Sequence, residues 1–221
     1  MKLAAWFAGS LALLWTATTL AATGACPSAA SVPAPPPEAR GAQPPQVSVG
    51  GEQTLLIGDS IAARWVPSVG SDIFNFGHGG DRTQWMLWRL QNAAFPTGKF
   101  RNAIVIAGTN NSGPHFTGCQ IAGGVLALVQ QLKILSIPNI VVVSLLPRGV
   151  DFSQNEDNIV ATNTILRDSA AEAGYRFVDV YSRFRDVCDH HSPCTLYLPG
   201  LIHPTADGYK IFDETIKPLL R

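Results

Sequence analysis

Between residues 54 and 220, short apolar runs alternate with longer stretches in which apolar residues recur at helical spacing. The runs Thr54 to Ile57, Ile73 to Phe76, Ala103 to Ala107, Asn139 to Leu146 and Arg176 to Val180 read as five β-strands. Ile104-Val105-Ile106 and Ile140-Val141-Val142-Val143 are apolar at every position, as strands must be when helices cover both faces of their sheet. The predicted sheet is therefore parallel. Helical patterns lie at about Asp81 to Asn92, Gln120 to Ile137, Asn155 to Ala173 and Thr205 to Leu220, each bounded by Gly, Pro or Asn. This alternation predicts one α/β domain over residues 51–221, three layers α/β/α around a five-stranded parallel sheet. Ligands of such sheets bind beyond the carboxyl ends of the strands, so the residues following each strand are where chemistry is to be sought.

Upstream of residue 51 the pattern breaks twice. Lys2 is followed by an uncharged stretch from Leu3 to Ala25 that ends in small residues, and residues 1–25 read as a secretory signal peptide. An uncleaved membrane anchor is the alternative that this length allows. Cys26, directly after Ala25, resembles the lipidated cysteine of bacterial lipoproteins. Residues 26–50 carry seven of the sixteen prolines between Pro27 and Pro45 and almost no large apolar side chain, so their composition predicts a semi-rigid spacer. Export would place the protein in the periplasm or outside the cell, where disulfides persist. Cys188 and Cys194 are near enough to close a small loop; Cys119 is the alternative partner of either, or of Cys26.

Composition narrows the choice of partners. Hydrophobic residues make up 46% and charged ones 14%, so the domain is globular. Lys plus Arg equals Asp plus Glu at 16 each, and no basic run or basic helix face is present to follow a nucleic-acid backbone. Membrane contact is expected only through the signal or a lipid on Cys26. No pattern in the chain sets an oligomeric state.

The strand ends carry a reactive set. Gly58-Asp59-Ser60 places Ser60 on a tight turn after the first strand, Gly77-His78-Gly79-Gly80-Asp81 follows the second, Gly108-Thr109-Asn110-Asn111 follows the third, and His203-Pro204 opens the last helix. Acyl transfer needs a hydroxyl, a base and donors aimed at a developing oxyanion. Ser60, His203 and the pair Gly80 and Asn110 supply those types. In this order the four blocks resemble the SGNH (GDSL-type) hydrolase superfamily. The stretches Asn75 to Asp81, Leu87-Trp88-Arg89-Leu90, Gly108 to Asn111 and Leu145-Leu146-Pro147-Arg148-Gly149 are similar to the platelet-activating-factor acetylhydrolase type of subunit. The resemblance implies a flavodoxin-like sheet, hydrolysis of a small-molecule, glycan or lipid ester, and no metal or organic cofactor. It also implies Ser60 as nucleophile, the Ser60 and Gly80 N–H groups with the Asn110 side chain as oxyanion hole, and His203 as base.

One position departs from that motif. The family keeps an Asp three residues before the histidine, and here Gly200 stands there. Loss of that acid can cost about ten thousandfold in turnover when nothing replaces it. The preferred substitute is a backbone carbonyl between Leu198 and Gly200, giving a Ser-His dyad; Asp186, Asp189 and Asp207 are the candidate orienting acids. Other readings remain open on this sequence. An O-acetyltransferase would use the same acyl-enzyme, and a degenerate relative would only bind an acylated ligand. Cys188-Asp189-His190-His191-Ser192-Pro193-Cys194 collects zinc-ligand types without the usual two-pair spacing, so a disulfide loop is the expected structure. His78 is polar surface or a substrate contact, Trp85 and Trp88 are packing residues, and Arg148 lines the cleft or caps a helix.

Overall fold

The five predicted strands form, at β1 Thr54–Gly58, β2 Ile73–Gly77, β3 Asn102–Ile106, β4 Asn139–Val143 and β5 Arg176–Val178. This computed structural model describes residues 26–41, 43, 45–66, 72–113, 115–189 and 194–220. All four strand pairings are parallel and the order is β2-β1-β3-β4-β5. The chain adds β2 on one side of β1 and then β3 on the other. The crevice at the carboxyl ends of β1 and β3 is thus the switch point at which such sheets take ligands.

The helices are α1 Ser60–Arg64, α2 Thr83–Asn92, α3 Gly118–Ile134, α4 Glu156–Ala173, α5 Val180–Val187 and α6 Ala206–Ile216. Side chains alternate across a strand, and the sheet sorts accordingly. Leu55, Ile57, Ala103, Val105, Ile140 and Val142 point into the core under α2, α3 and α4, whereas Leu56, Ile104, Ile106, Val141, Val143 and Val178 point into the core under α1, α5 and α6. Both faces are apolar, hence the unbroken apolar runs.

Among the boundaries that differ from expectation, three have clear local reasons. The last strand stops at Val178 because Asp179 accepts a hydrogen bond from Ser182 N at 2.9 Å and starts α5, a helix the sequence pattern did not separate. The fourth strand stops at Val143, and Ser144 turns to accept from Val180 N and Tyr181 N at 3.0 and 2.8 Å. The terminal helix gives way at Lys217 to a 3-10 turn that contains Pro218.

Residues 26–41 do not stand off as the spacer their composition predicts. Cys26 is bonded to Cys119 at the start of α3, with Cα atoms 5.2 Å apart, so its sulfur is not available for a lipid. Ala30 is fully buried; its carbonyl accepts from Thr83 Oγ1 at 2.7 Å, and Ala34 N donates to Gln84 O at 3.1 Å. Arg89 closes the far end by donating to the carbonyls of Arg40 and Gly41 at 2.7 and 3.2 Å. A proline-rich segment can dock in this way because backbone groups make most of its hydrogen bonds and only small apolar side chains such as Ala30 need be buried. Cys188 and Cys194 form the expected short-loop disulfide. That bond consumes both thiolates of the zinc reading, while His190 and His191 lie outside the described residues, as do residues 1–25 of the signal reading. Two disulfides fit an oxidising compartment. No helix among the described residues is long and apolar enough to cross a membrane.

Candidate active site

The site is built by the close approach of β1, β2 and β3. Asp59 N donates to Ile106 O at 3.2 Å and His78 N to Gly58 O at 2.9 Å, so the turn after β1 is stitched to both neighbours. Gly58 is required there, since a Cβ would lie 2.2 Å from Ile106 O. Asp59 caps α1 through Ile61 N at 2.8 Å, which fixes Ser60 as the first residue of the helix. The first N–H groups of a helix have no intrahelical acceptor, so that of Ser60 is free to face a ligand.

His203 is delivered from the other side. Tyr197 and Pro204 form an isolated bridge, Leu198 N donates to His203 O at 2.9 Å, and Thr205 caps α6 through Gly208 N. Tyr209 Oη on α6 donates to Ile61 O at 2.8 Å, and Trp65 Nε1 donates to Asp213 Oδ1 at 3.1 Å. These two bonds clamp α6 to α1. His203 Nε2 then lies 2.9 Å from Ser60 Oγ, within reach for proton transfer.

Gly80, at φ +78°, ends the tight turn after β2, in which Asp81 N donates to His78 O at 3.1 Å. Asn110 holds its side chain over the same loop by donating through Nδ2 to Asp81 O at 2.9 Å, leaving the second amide hydrogen for a ligand. Asn111 anchors the loop from below, accepting from Thr83 N and donating to Gln84 Oε1, both at 3.0 Å. Asp81 is buried and pairs with Arg89 at 2.7 Å, while His78 Nδ1 approaches its other oxygen at 3.2 Å. Ser60, Gly80, Asn110 and His203 are thus carried by neighbouring loops at one end of the sheet.

The electrostatics explain how the pair is set. Asp59 is 1% exposed, one of its oxygens has no partner, and burial pushes its carboxyl up to about 7. His203 is pushed below the ordinary histidine value, by burial first and then by the charges of Arg64 and Arg148. Arg148 holds the loop after β3 through Thr109 O and Oγ1 at 3.0 and 3.2 Å. Sequence reading missed Arg64, although it lies four residues after Ser60 and so shares its helix face.

Among the described residues, no hydrogen bond joins Asp186, Asp189 or Asp207 to the imidazole. Asp207 pairs with Lys210 at 2.7 Å, Asp186 lies exposed near the end of α5, and Asp189 lies exposed in the loop beyond it. Among the described residues, Nδ1 donates to no carbonyl of Leu198 to Gly200 either. Leu198 O accepts from Leu201 N at 3.0 Å, closing a turn with Pro199 second and Gly200 third at φ +100°. That is a turn position glycine fills without strain. Gly200→Asp therefore should not rebuild a triad. We expect esterase activity within about threefold of wild type and, from an L residue forced to positive φ, about 1–2 kcal/mol less stability in urea unfolding. A tenfold or larger gain in kcat would contradict this.

A doubly covered parallel sheet that brings a serine and a histidine together at its switch point is an α/β arrangement open to acyl-transfer chemistry. The chain belongs to the GDSL-like lipase/acylhydrolase family, whose model matches residues 56–211. This is a family of carboxylic ester hydrolases. Among curated proteins, the α1 subunit of platelet-activating factor acetylhydrolase IB from Rattus norvegicus is 39% identical over 102 residues, 46% of this chain and 42% of that protein. The α2 subunit from Bos taurus is 42% identical over 96 residues, 43% of this chain and 41% of that protein. The chain thus spans less than half the length of the curated relatives it matches. Among solved structures, a member of the lipolytic G-D-S-L family from Veillonella parvula aligns with TM-score 0.63 and 16% identity, covering 75% of this chain and 96% of that one. An acetylxylan esterase from Geobacillus stearothermophilus, solved as a catalytic mutant, aligns with TM-score 0.62 and 18% identity over 76% and 94% of the two chains. These two likenesses establish the shared fold.

Proposed function

We propose that the protein is an exported acylesterase that cleaves short-chain esters, acetyl esters above all, of a carbohydrate or lipid through an acyl-enzyme on Ser60. The observation that carries this reading is the 2.9 Å contact between His203 Nε2 and Ser60 Oγ at the switch point. His203 takes the serine proton as Oγ attacks the acyl carbonyl. The N–H groups of Ser60 and Gly80 and the amide of Asn110 donate to the oxyanion. His203 then protonates the departing alcohol, and in the second half it deprotonates the water that releases the acid. Its lowered pKa keeps the imidazole in the neutral, basic form at pH 7. With no carboxylate on Nδ1, the pair works as a dyad. The preference for acetyl rests on the relatives, which are named for acetyl hydrolysis. Export rests on the disulfides and on the leader-like residues 1–25.

The test is labelling of the purified protein with a fluorophosphonate, followed by peptide mass spectrometry. Modification is expected at Ser60 and lost in His203→Ala. A label elsewhere removes Ser60 from the mechanism, and an unlabelled wild-type protein would favour an acyl-ligand-binding role.

A further inference from the structure

The segment of residues 26–41 ends on the loop proposed to hold the oxyanion. Arg40 Nη1 donates to Gly79 O at 3.3 Å, and a Cβ on Gly80 would lie 2.1 Å from the same nitrogen. The guanidinium therefore lies on the backbone of Gly80, in space that only glycine leaves. A Cβ on Gly79 would be 4.0 Å from Ser60 Cβ, which places Arg40 at the mouth of the nucleophile's cleft. Its Cζ is 5.7 Å from the centre of the Trp85 ring, and Arg82 Cζ is 5.4 Å from the same ring. Arg64 and Arg148 complete the surround, close enough to His203 for their charges to act on it.

The protein is neutral in formal charge, yet this set is not. Among the described residues none of Arg40, Arg64, Arg82 and Arg148 forms an ion pair. Arg40 donates to a carbonyl, and Arg148 to a carbonyl, a hydroxyl and an amide. Nearby Asp81 is taken up by Arg89, and Glu38, two residues before Arg40, is exposed and forms no ion pair with it. The buried Asp59 carboxyl acts on Arg148 alone of the four, so Arg40 and Arg82 are left facing the cleft mouth as unpaired cations. Cations so placed attract anionic ligands, and guanidinium groups match carboxylate and phosphate geometry.

We infer that the ester substrate carries an anionic group, a carboxylate or a phosphate, near the scissile bond, and that Arg40 with Arg82 holds it over Trp85. This rests on the Ser60 reading and deepens it. Arg40 acts here as a specificity residue supplied by a segment outside the α/β sandwich, held in place by the Cys26–Cys119 bond and by Arg89.

The experiment compares kcat/KM for 4-acetoxybenzoate and its methyl ester, each rate scaled to its hydroxide-catalysed hydrolysis. Wild type is expected to prefer the anionic ester by about tenfold at low ionic strength, with the preference shrinking as salt rises to 0.5 M. Arg40→Gln should bring that ratio down by about threefold, and Arg40→Gln with Arg82→Gln should bring it near one. Arg167→Gln, on the exposed face of α4 and paired with Asp168, should leave the ratio alone. Competition by trigalacturonate and by glycerol 3-phosphate separates a sugar carboxylate from a lipid-type phosphate; inhibition by either supports the inference and names the source. A wild-type ratio near one, or a ratio unmoved in Arg40→Gln, overturns it. Failure of the Ser60 reading looks different: neither ester would then be hydrolysed in a Ser60-dependent way.

Discussion

Ser60→Ala and His203→Ala are each expected to lower kcat for 4-nitrophenyl acetate by at least about a thousandfold, and the double variant to lose little more than either alone. In the proposed mechanism the two groups, 2.9 Å apart, act as one proton-transfer unit, so removing either member removes the unit. Losses that instead multiplied in the double variant would mean that the two act separately. The wild-type pH profile carries the same logic. His203 must be neutral to accept the proton, and burial with Arg64 and Arg148 lowers its pKa, so kcat/KM should rise with pH and level off from a midpoint below 6.5. An acid on Nδ1 would push that midpoint the other way.

The second large effect is on stability and comes from Asp59, the buried cap directly before Ser60. Its carboxyl titrates near 3.8 when unfolded and near 7 when buried, so the folded state holds an extra proton between those values. Stability then falls as pH rises through that window and is flat above it. Between pH 5 and pH 8 the loss from this group is on the order of 3 kcal/mol. Asp59→Asn keeps an oxygen to accept from Ile61 N and abolishes the charge. The variant should match wild type near pH 4, exceed it at pH 8, and show a shallower pH dependence in urea unfolding. Parallel curves for the two proteins would place the titration elsewhere. Arg148 partly offsets the cost of an ionised Asp59, so the orphan oxygen is tolerated at neutral pH.

The sandwich was legible in the chain because the runs at Ile104 and Ile140 are apolar at consecutive positions, and only a strand covered on both sides uses such a run. Ser60, Gly80, Asn110 and His203 were legible as motif blocks, since each directly follows a strand or opens a helix. Their register was not: the contact between Ser60 and His203 depends on Tyr209 and Trp65 joining α6 to α1 across 148 residues. The short helix α5 was hidden because Val180 and Phe184 provide only one turn of apolar spacing. Gly200 read as a missing acid, whereas the structure shows a turn whose positive φ favours glycine. The largest misreading was of residues 26–41. Composition measures the apolar area a segment can bury, and this segment is held by carbonyls, one alanine and a disulfide. Arg148 was singled out as a cleft or cap residue, but the four arginines were not legible as a set because they come from four separate stretches, so no local charge run announces them.

The Cys26–Cys119 bond also sets an order of events. Its two halves are 93 residues apart, and Cys119 belongs to the helix on which the segment rests. During synthesis Cys26 emerges long before its partner exists, and β1, β2, β3 and α2 all intervene. The earliest of the described residues to be made therefore waits for three of the five strands to be made before its bond can form, and the wall that carries Arg40 is covalently secured only after that.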